Sequence, residues 1–160
     1  MSQVKIVTDS AAELSPQVVE ELGIAVVPWR IRLGSEIVTD DSGFLETRFH
    51  KDLLHKGIEP TALPPNRDQF AQVYQELARE TDQIISLHTS SELSTVIQAA
   101  RQGSRSLLGR CRVDVIDSLF ISRALGLLVT EVAQAAQEGM SGTEIIHLVG
   151  SLISRIYFAF

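Results

Sequence analysis

Apolar residues in this chain occur either in short unbroken runs or at helical spacing, three or four positions apart. The run QIISLH (83–88) lacks strict alternation, which is typical of a strand covered on both faces. Segments such as 93–108 instead carry an apolar stripe, which is typical of a helix lying on a sheet. The chain therefore predicts strands and helices in succession.

Turn residues and apolar runs together predict where the strands lie in the sequence. GSEIVTDDSG (34–43) adds a short strand between two turns, and the proline-rich segment IEPTALPPNRDQF (58–70) predicts a loop. A proline inside a strand indicates a break or a sheet edge, which applies to Pro28. The main strands are predicted at 4–8, 24–33, 83–88, 112–118 and 156–160.

Capping residues mark the helix starts. Ser15 before Pro16 opens a first helix that Gly23 ends, and Asn66 caps a later one. Thr89 with Glu92 has capping-box spacing and predicts a helix through Leu108, and Ser141 with Glu144 predicts another. A helix rich in alanine, leucine and valine runs to Gln137. The segment 44–57, with Phe49, Leu53 and Leu54 at helical spacing, predicts one further helix.

Alternating strands and helices predict an α/β fold with a mainly parallel sheet and helices on both faces, formed as a single domain over residues 1–160. A formal net charge of −6 argues against a nucleic-acid-binding protein. The single Cys111 rules out an intramolecular disulfide and favours a reducing, cytoplasmic location. The start of the sequence lacks a signal-peptide pattern, and its apolar runs are too short for a membrane span.

Ligands of parallel sheets bind beyond the carboxyl ends of the strands, where this sequence places three polar segments. Asp9-Ser10 and Asp117-Ser118 each follow a strand, and they form either a carboxylate pair or two helix caps. The turn LHTSSELSTV (87–96) joins a strand to a helix start, where free amides favour a carboxylate or phosphate. Simple capping is the alternative interpretation of these hydroxyls.

A metal site or an enzymatic site has weaker support. His50 and His55 are five residues apart, and His147 lacks an acidic or thiol neighbour in sequence, so no metal ligand set is formed. An enzymatic site would use His88 as base and Ser90 or Ser91 as nucleophile, but the sequence identifies no carboxylate to orient the histidine. We therefore expect neither a metal nor catalysis.

The ordered segments VKIVTDSAAEL, GIAVVP, a PT loop, IISLHTSSELS, VIDS and LGLLV resemble the DegV family of bacterial fatty-acid-binding proteins, from Val4 to Phe160. The resemblance implies the first lobe of a two-lobed α/β carrier, without a cofactor or catalysis. It implies a long-chain fatty acid as ligand and a fatty-acid kinase as partner. Thr61 and Ser94 match the positions expected to contact the carboxylate. The full candidate set is Asp9, Ser10, Thr61, His88, Thr89, Ser90, Ser91, Ser94, Asp117 and Ser118.

The sequence departs from the family pattern at three places. Ala62 and Leu63 replace the "TS" of the "TTS" loop, and 95–97 replaces "GTY", so a hydroxyl donor and a small residue are missing. The sequence also ends where the family crosses into a second lobe. The alternative expectation is therefore a non-binding scaffold or truncated fragment, which self-associates as a homodimer through the surface left by the absent lobe.

Overall fold

Strands and helices alternate through most of the residues described by the computed structural model, which are 3–40, 57 and 59–157. The strands are β1 (Lys5–Asp9), β2 (Ala25–Val27), β3 (Arg30–Leu33), β4 (Glu36–Thr39), β5 (Pro60–Leu63), β6 (Gln83–His88) and β7 (Arg112–Asp117). The helices are α1 (Pro16–Leu22), α2 (Arg67–Leu77), α3 (Val96–Ser104), α4 (Ser122–Gln137) and α5 (Gly142–Ile153).

A four-stranded parallel sheet in the order β2-β1-β6-β7 forms the centre of the fold. Helices α1, α4 and α5 cover one face, and α2 and α3 cover the other. The α/β fold with helices on both faces is therefore confirmed. All four strands point the same way, so their carboxyl ends meet at one edge, which includes Asp9, His88 and Asp117.

Successive side chains of the central strands enter opposite cores, as the period of two along a strand requires. Ile6 of β1 packs with the α4 and α5 helices, whereas Val7 packs with α2 and α3. Phe70 and Tyr74 of α2 fill the second core and are fully buried. The two cores fix the helices above and below the edge that carries the polar loops.

A second sheet, antiparallel and in the order β4-β3-β5, follows Pro28. The predicted strand at 24–33 divides here, since its first half joins the parallel sheet and its second half joins the small one. The prediction of a loop at 58–70 was wrong for Pro60–Leu63. These residues pair with the free edge of β3, and Pro60 occupies the first position, where a missing N–H is tolerated.

The predicted capping box at Thr89 and Glu92 was wrong, because α3 begins at Val96. The hydroxyl and amide of Thr89 both bond to Asp9 instead of closing a helical turn. The segment 89–95 therefore remains a turn. Leu93 and Leu108, predicted on the apolar stripe, are 62% and 79% exposed.

The caps at Ser15, Asn66 and Ser141 are confirmed, and the last two form complete capping boxes. The predicted helix at 44–57, with His50 and His55, falls on residues outside the described ranges apart from Gly57. The predicted last strand is not formed at Ile156 and Tyr157, and its remaining residues also lie outside the described ranges.

Candidate functional site at the carboxyl edge of the sheet

Asp9 is the centre of a buried hydrogen-bond network at the end of β1. Its Oδ1 accepts from Ala11 N at 3.2 Å, Trp29 Nε1 at 2.8 Å and Thr89 Oγ1 at 3.0 Å. Its Oδ2 accepts from His88 Nδ1 at 2.9 Å and Thr89 N at 3.1 Å. A carboxylate has about four lone-pair sites, so these donors use its capacity within the chain.

The loop after β1 also attaches the small sheet to the parallel sheet. Ser10 Oγ donates to Asp40 Oδ2 at 2.6 Å and accepts from Trp29 N at 3.0 Å. Because Trp29 directly precedes β3 and Asp40 directly follows β4, both strands are anchored beside Asp9. The position of the small sheet therefore depends on the Asp9-Ser10 pair.

A relay of polar side chains runs from Asp9 into the core. His88 Nε2 lies 2.6 Å from Ser86 Oγ, which lies 2.8 Å from the Tyr74 hydroxyl. The ring of Phe70 meets the imidazole edge-on, with centroids 4.9 Å apart. All members of the relay are fully buried, so each depends on its neighbour for hydrogen bonding.

Burial and hydrogen bonding act in opposite directions on the acidity of Asp9. Burial alone would raise its pKa, but the hydrogen bond and charge of His88 lower it, helped by Trp29 and the Thr89 amide. The balance holds the pKa of Asp9 below its ordinary value, so the carboxylate is ionised. Burial raises the pKa of Tyr74, although Ser86 opposes the shift, so the phenol stays neutral.

The network resembles a catalytic arrangement but differs from the one that the sequence suggested. Asp9 does orient His88, so the expectation that an orienting carboxylate is lacking was wrong. The imidazole, however, faces Ser86 and not Ser90 or Ser91. Ser86 is fully buried beneath Tyr74, which leaves no approach for a substrate. The geometry fits a structural relay.

A second carboxylate holds the opposite side of the turn. Asp117, at the end of β7, accepts from the amide and hydroxyl of Ser91 and from Leu119 N at 3.0 Å. The suggested carboxylate pair at adjacent strand ends was wrong, because β6 lies between β1 and β7. Each aspartate instead holds its own part of the turn that follows β6.

The loop after β7 is joined to the same turn. Ser118 Oγ donates to His88 O at 2.6 Å, and Ser90 N donates to Phe120 O at 2.9 Å. Leu119 has a φ of 62°, which is costly for a side chain bearing a Cβ, yet it is 59% exposed. The backbone bonds therefore hold an apolar side chain outward beside the turn.

The N-terminus of α3 is open toward solvent. Thr95 occupies the N-cap position without a side-chain cap bond, and Ser94 Oγ accepts a long bond from Val96 N at 3.4 Å. The amides of Ile97 and Gln98 belong to the first turn, which an α-helix leaves without intrahelical acceptors. Free amides, the Ser94 hydroxyl and the positive end of the helix dipole together suit an anion.

The candidate residues divide into two groups by their surroundings. Ser94 is half-buried, whereas Thr61 is exposed in β5, opposite Arg32 on the small sheet. The buried or engaged candidates are Asp9, Ser10, His88, Thr89, Ser90, Ser91, Asp117 and Ser118. Contact of either group with a ligand stays a prediction.

A cavity of about 900 Å³ lies beside the first loop, within the size range of small-molecule sites. Within the described ranges, its charged lining residues are all acidic: Asp9, Glu13, Glu20 and Asp40. Such a lining repels an anionic group, so the start of α3 is the better position for an anion.

Among the described residues, no cluster of three or more His, Cys, Asp or Glu side chains could hold a metal. None of the described helices has the length and apolarity to cross a membrane.

Sequence reasoning missed the roles of Trp29, Ser86 and Tyr74. Ser86 offered a signal, because a serine in the middle of a doubly covered strand needs a buried partner. Trp29 offered a weaker one, as an N–H donor that follows a proline at a strand end. Tyr74 lies at helical spacing with Phe70 and Leu77, and this spacing does not indicate where its hydroxyl bonds.

Comparisons with known proteins agree on one family. The family model described as "Uncharacterised protein, DegV family" matches residues 3–160. A DegV domain-containing protein of Lactococcus lactis is 38% identical over 146 residues, which are 91% of this chain and 51% of that protein. Another from Caldanaerobacter subterraneus is 31% identical over 98% of this chain and 55% of its own length.

Solved structures show the same fold. A Thermus thermophilus structure, described as fatty acid binding of a DegV family protein, is 30% identical with a TM-score of 0.84, covering 95% of this chain and 54% of that one. A DegV lipid-binding protein of Thermotoga maritima has a TM-score of 0.86 at 23% identity, over 96% and 55% respectively. This chain thus spans about half the length of the relatives it matches.

Proposed function

This chain belongs to the DegV family, and from that premise we propose that it binds a long-chain fatty acid. In this proposal the carboxylate lies at the start of α3, near Ser94, with Thr61 as a second hydroxyl donor. The Thermus thermophilus relative, described as binding fatty acid, supports the ligand class. The capacity of the α3 start to bind an anion supports the position.

The observation that carries the proposal is the way in which the turn before α3 is held. Asp9 fixes Thr89, and Asp117 fixes Ser91, so the backbone on both sides of Ser90 is set before any ligand arrives. Preorganised donors bind an anion without the cost of ordering a loop. The buried candidates therefore act on the turn, and Ser94 and Thr61 act on the carboxylate.

Apolar surface for the acyl chain lies beside the same turn. Leu93, Leu119 and Ile121 are 62%, 59% and 38% exposed, and the bond from Ser90 N to Phe120 O joins their two loops. Each CH₂ that leaves water contributes about 0.8 kcal/mol. In the proposal, methylene groups near the carboxylate cover these side chains.

We propose a carrier and not an enzyme, working in the cytoplasm without a cofactor. Residues 1–160 would form one α/β lobe. A bound acyl group whose carboxylate faces solvent at the sheet edge could be passed to a fatty-acid kinase. The exposed leucines would equally serve a homodimer, which light scattering of ligand-free protein distinguishes from a monomer.

The test is a titration with oleate, followed by thermal unfolding. Binding to the folded state alone raises the unfolding temperature as the ligand concentration rises. We expect Ser94→Ala to weaken the apparent affinity about tenfold, as loss of a hydrogen bond to a charged group would. Ser104→Ala is the matched control, because Ser104 lies at the far end of α3 and its hydroxyl donates to Arg101 O.

An unfolding temperature that does not change across the titration would refute fatty-acid binding by this chain. Equal weakening in both serine variants would refute the assigned position, since only one of them lies at the anion-binding end of the helix.

A further inference from the structure

One face of the small antiparallel sheet carries two arginines beside Thr61. Arg32 lies directly opposite Thr61, and Arg30 lies opposite Leu63, in a register without a bulge. Directly opposite residues point to the same face, with Cβ atoms about 5 Å apart. Residues two apart on a strand share a face, so both guanidinium groups lie on the Thr61 side.

Neither guanidinium group forms an ion pair with an acid in the described part of the chain. The acids joined to Lys and Arg side chains there are Glu80, Asp68 and Asp114, and their partners are Lys5, Arg67 and Arg112. On the same face, the neighbours of Arg30 and Arg32 on β4 are Thr39 and Ile37, and neither carries a charge.

Arg30 carries an additional sign of an absent partner. Its Nε is shielded from solvent and has no hydrogen-bond acceptor among the described residues. A buried donor on a charged group is costly to leave unsatisfied, so structures seldom retain one without an external acceptor. The unsatisfied donor and the two charges, which lack an ion-pair partner among the described residues, occur on the same strand face.

We infer that Arg30 and Arg32 form a cationic subsite, which binds the ionised carboxylate of the ligand together with Thr61. This deepens the proposed function and rests on it. A guanidinium group presents planar paired donors that match the two oxygens of a carboxylate. The subsite would make binding selective for a charged head group, whereas apolar contacts with the acyl chain do not discriminate charge.

The experiment compares oleate with oleyl alcohol, which has the same acyl skeleton and a neutral head group. Both compete with a fluorescent fatty acid for the wild-type protein and for Arg32→Gln, Arg30→Gln and Arg32→Lys. Arg110→Gln is the matched control. Arg110 is exposed and precedes β7, which forms the edge of the parallel sheet opposite to β2. Thermal unfolding of each variant verifies that it is folded.

We expect the wild type to prefer oleate, and each glutamine variant to lose about tenfold in oleate affinity while its affinity for oleyl alcohol is unchanged. Arg32→Lys should fall between, since it keeps the charge and loses the paired donors. Arg110→Gln should match the wild type.

Two failures are distinguishable. If the wild type binds oleate and both glutamine variants bind it equally well, the cationic subsite is refuted while fatty-acid binding stands. If the wild type binds neither oleate nor oleyl alcohol, the proposed function fails, and the subsite is refuted with it.

Discussion

The ends of β1 and β7 carry the same dipeptide, Asp-Ser, in very different surroundings. Asp9 is fully buried and accepts from five donors on four residues. Asp117 is half-buried and, among the described residues, accepts from Ser91 and Leu119 alone. Both carboxylates hold the turn that follows β6, one on each side.

The difference shows that one sequence motif can have two consequences, which depend on burial. A carboxylate with all its oxygens engaged inside a core contributes to folding, because its donors would otherwise be buried without acceptors. A carboxylate open to water contributes little to stability, since water can replace it. We therefore expect Asp9 to govern stability and Asp117 to govern the position of the turn.

The largest effect on stability is expected for Asp9→Asn. This substitution replaces one acceptor oxygen by an NH₂ group, which then faces N–H or O–H donors of the network. Removing a buried carboxylate from the donors that surround it in this way typically lowers the free energy of unfolding by about 3–5 kcal/mol. Urea denaturation measures the loss. If the loss is below about 1 kcal/mol, Asp9 contributes no more to stability than an exposed carboxylate does, and it does not differ from Asp117 in this respect.

The contribution of Asp9 to stability should also appear in the dependence of stability on pH under acidic conditions. The pKa of Asp9 lies below its ordinary value of 3.8 in the folded protein. The unfolded chain therefore takes up the proton first as the pH falls. The stabilisation by Asp9 is complete above pH 3.8 and is lost below it, toward the folded pKa. Urea midpoints between pH 2.5 and 5 should fall more steeply for the wild type than for Asp9→Asn, and parallel curves would contradict this.

Ser86→Ala tests the relay behind Asp9 and should have a smaller effect. The substitution leaves the Tyr74 hydroxyl and His88 Nε2 buried without their shared partner. The expected loss is about 1–3 kcal/mol in the free energy of unfolding. Tyr74→Phe with Ser86→Ala forms a double-mutant cycle, and strict additivity would show that the two hydroxyls do not depend on each other.

The layered fold was predictable because its signals are local. Strands covered on both faces, together with capping residues such as Ser15, Asn66 and Ser141, indicate element types without reference to the rest of the chain. The pairing of β5 with β3 was not predictable. It depends on a strand edge about 30 residues away, and proline-rich composition indicated a loop.

The polar positions at the sheet edge were predictable, but their partners were not. Parallel strands bring Asp9, His88 and Asp117 to one edge, as the sequence indicated. Which donor faces which carboxylate depends on strand order, and β6 separates the two aspartates. Thr89 illustrates the limit, since its capping-box spacing was overridden by a bond to a residue 80 positions away.

Asp117→Asn should have the smallest effect on stability and still affect binding. An asparagine can keep its oxygen toward Leu119 N and donate to the hydroxyl of Ser91. Ser91 N then loses its bond to Oδ2 and keeps only the 3.3 Å bond to Oδ1. We expect the free energy of unfolding, measured by urea denaturation, to fall by about 0.5–1 kcal/mol. The proposed function makes the turn before α3 part of the carboxylate site, and a turn held more weakly on one side is more costly to order when the ligand binds. Oleate affinity should therefore fall severalfold, while Asp114→Asn, on the same strand but distant from the turn, should leave it unchanged. If Asp117→Asn changes neither quantity, Asp9 alone positions the turn, and the two strand ends differ in function as well as in burial.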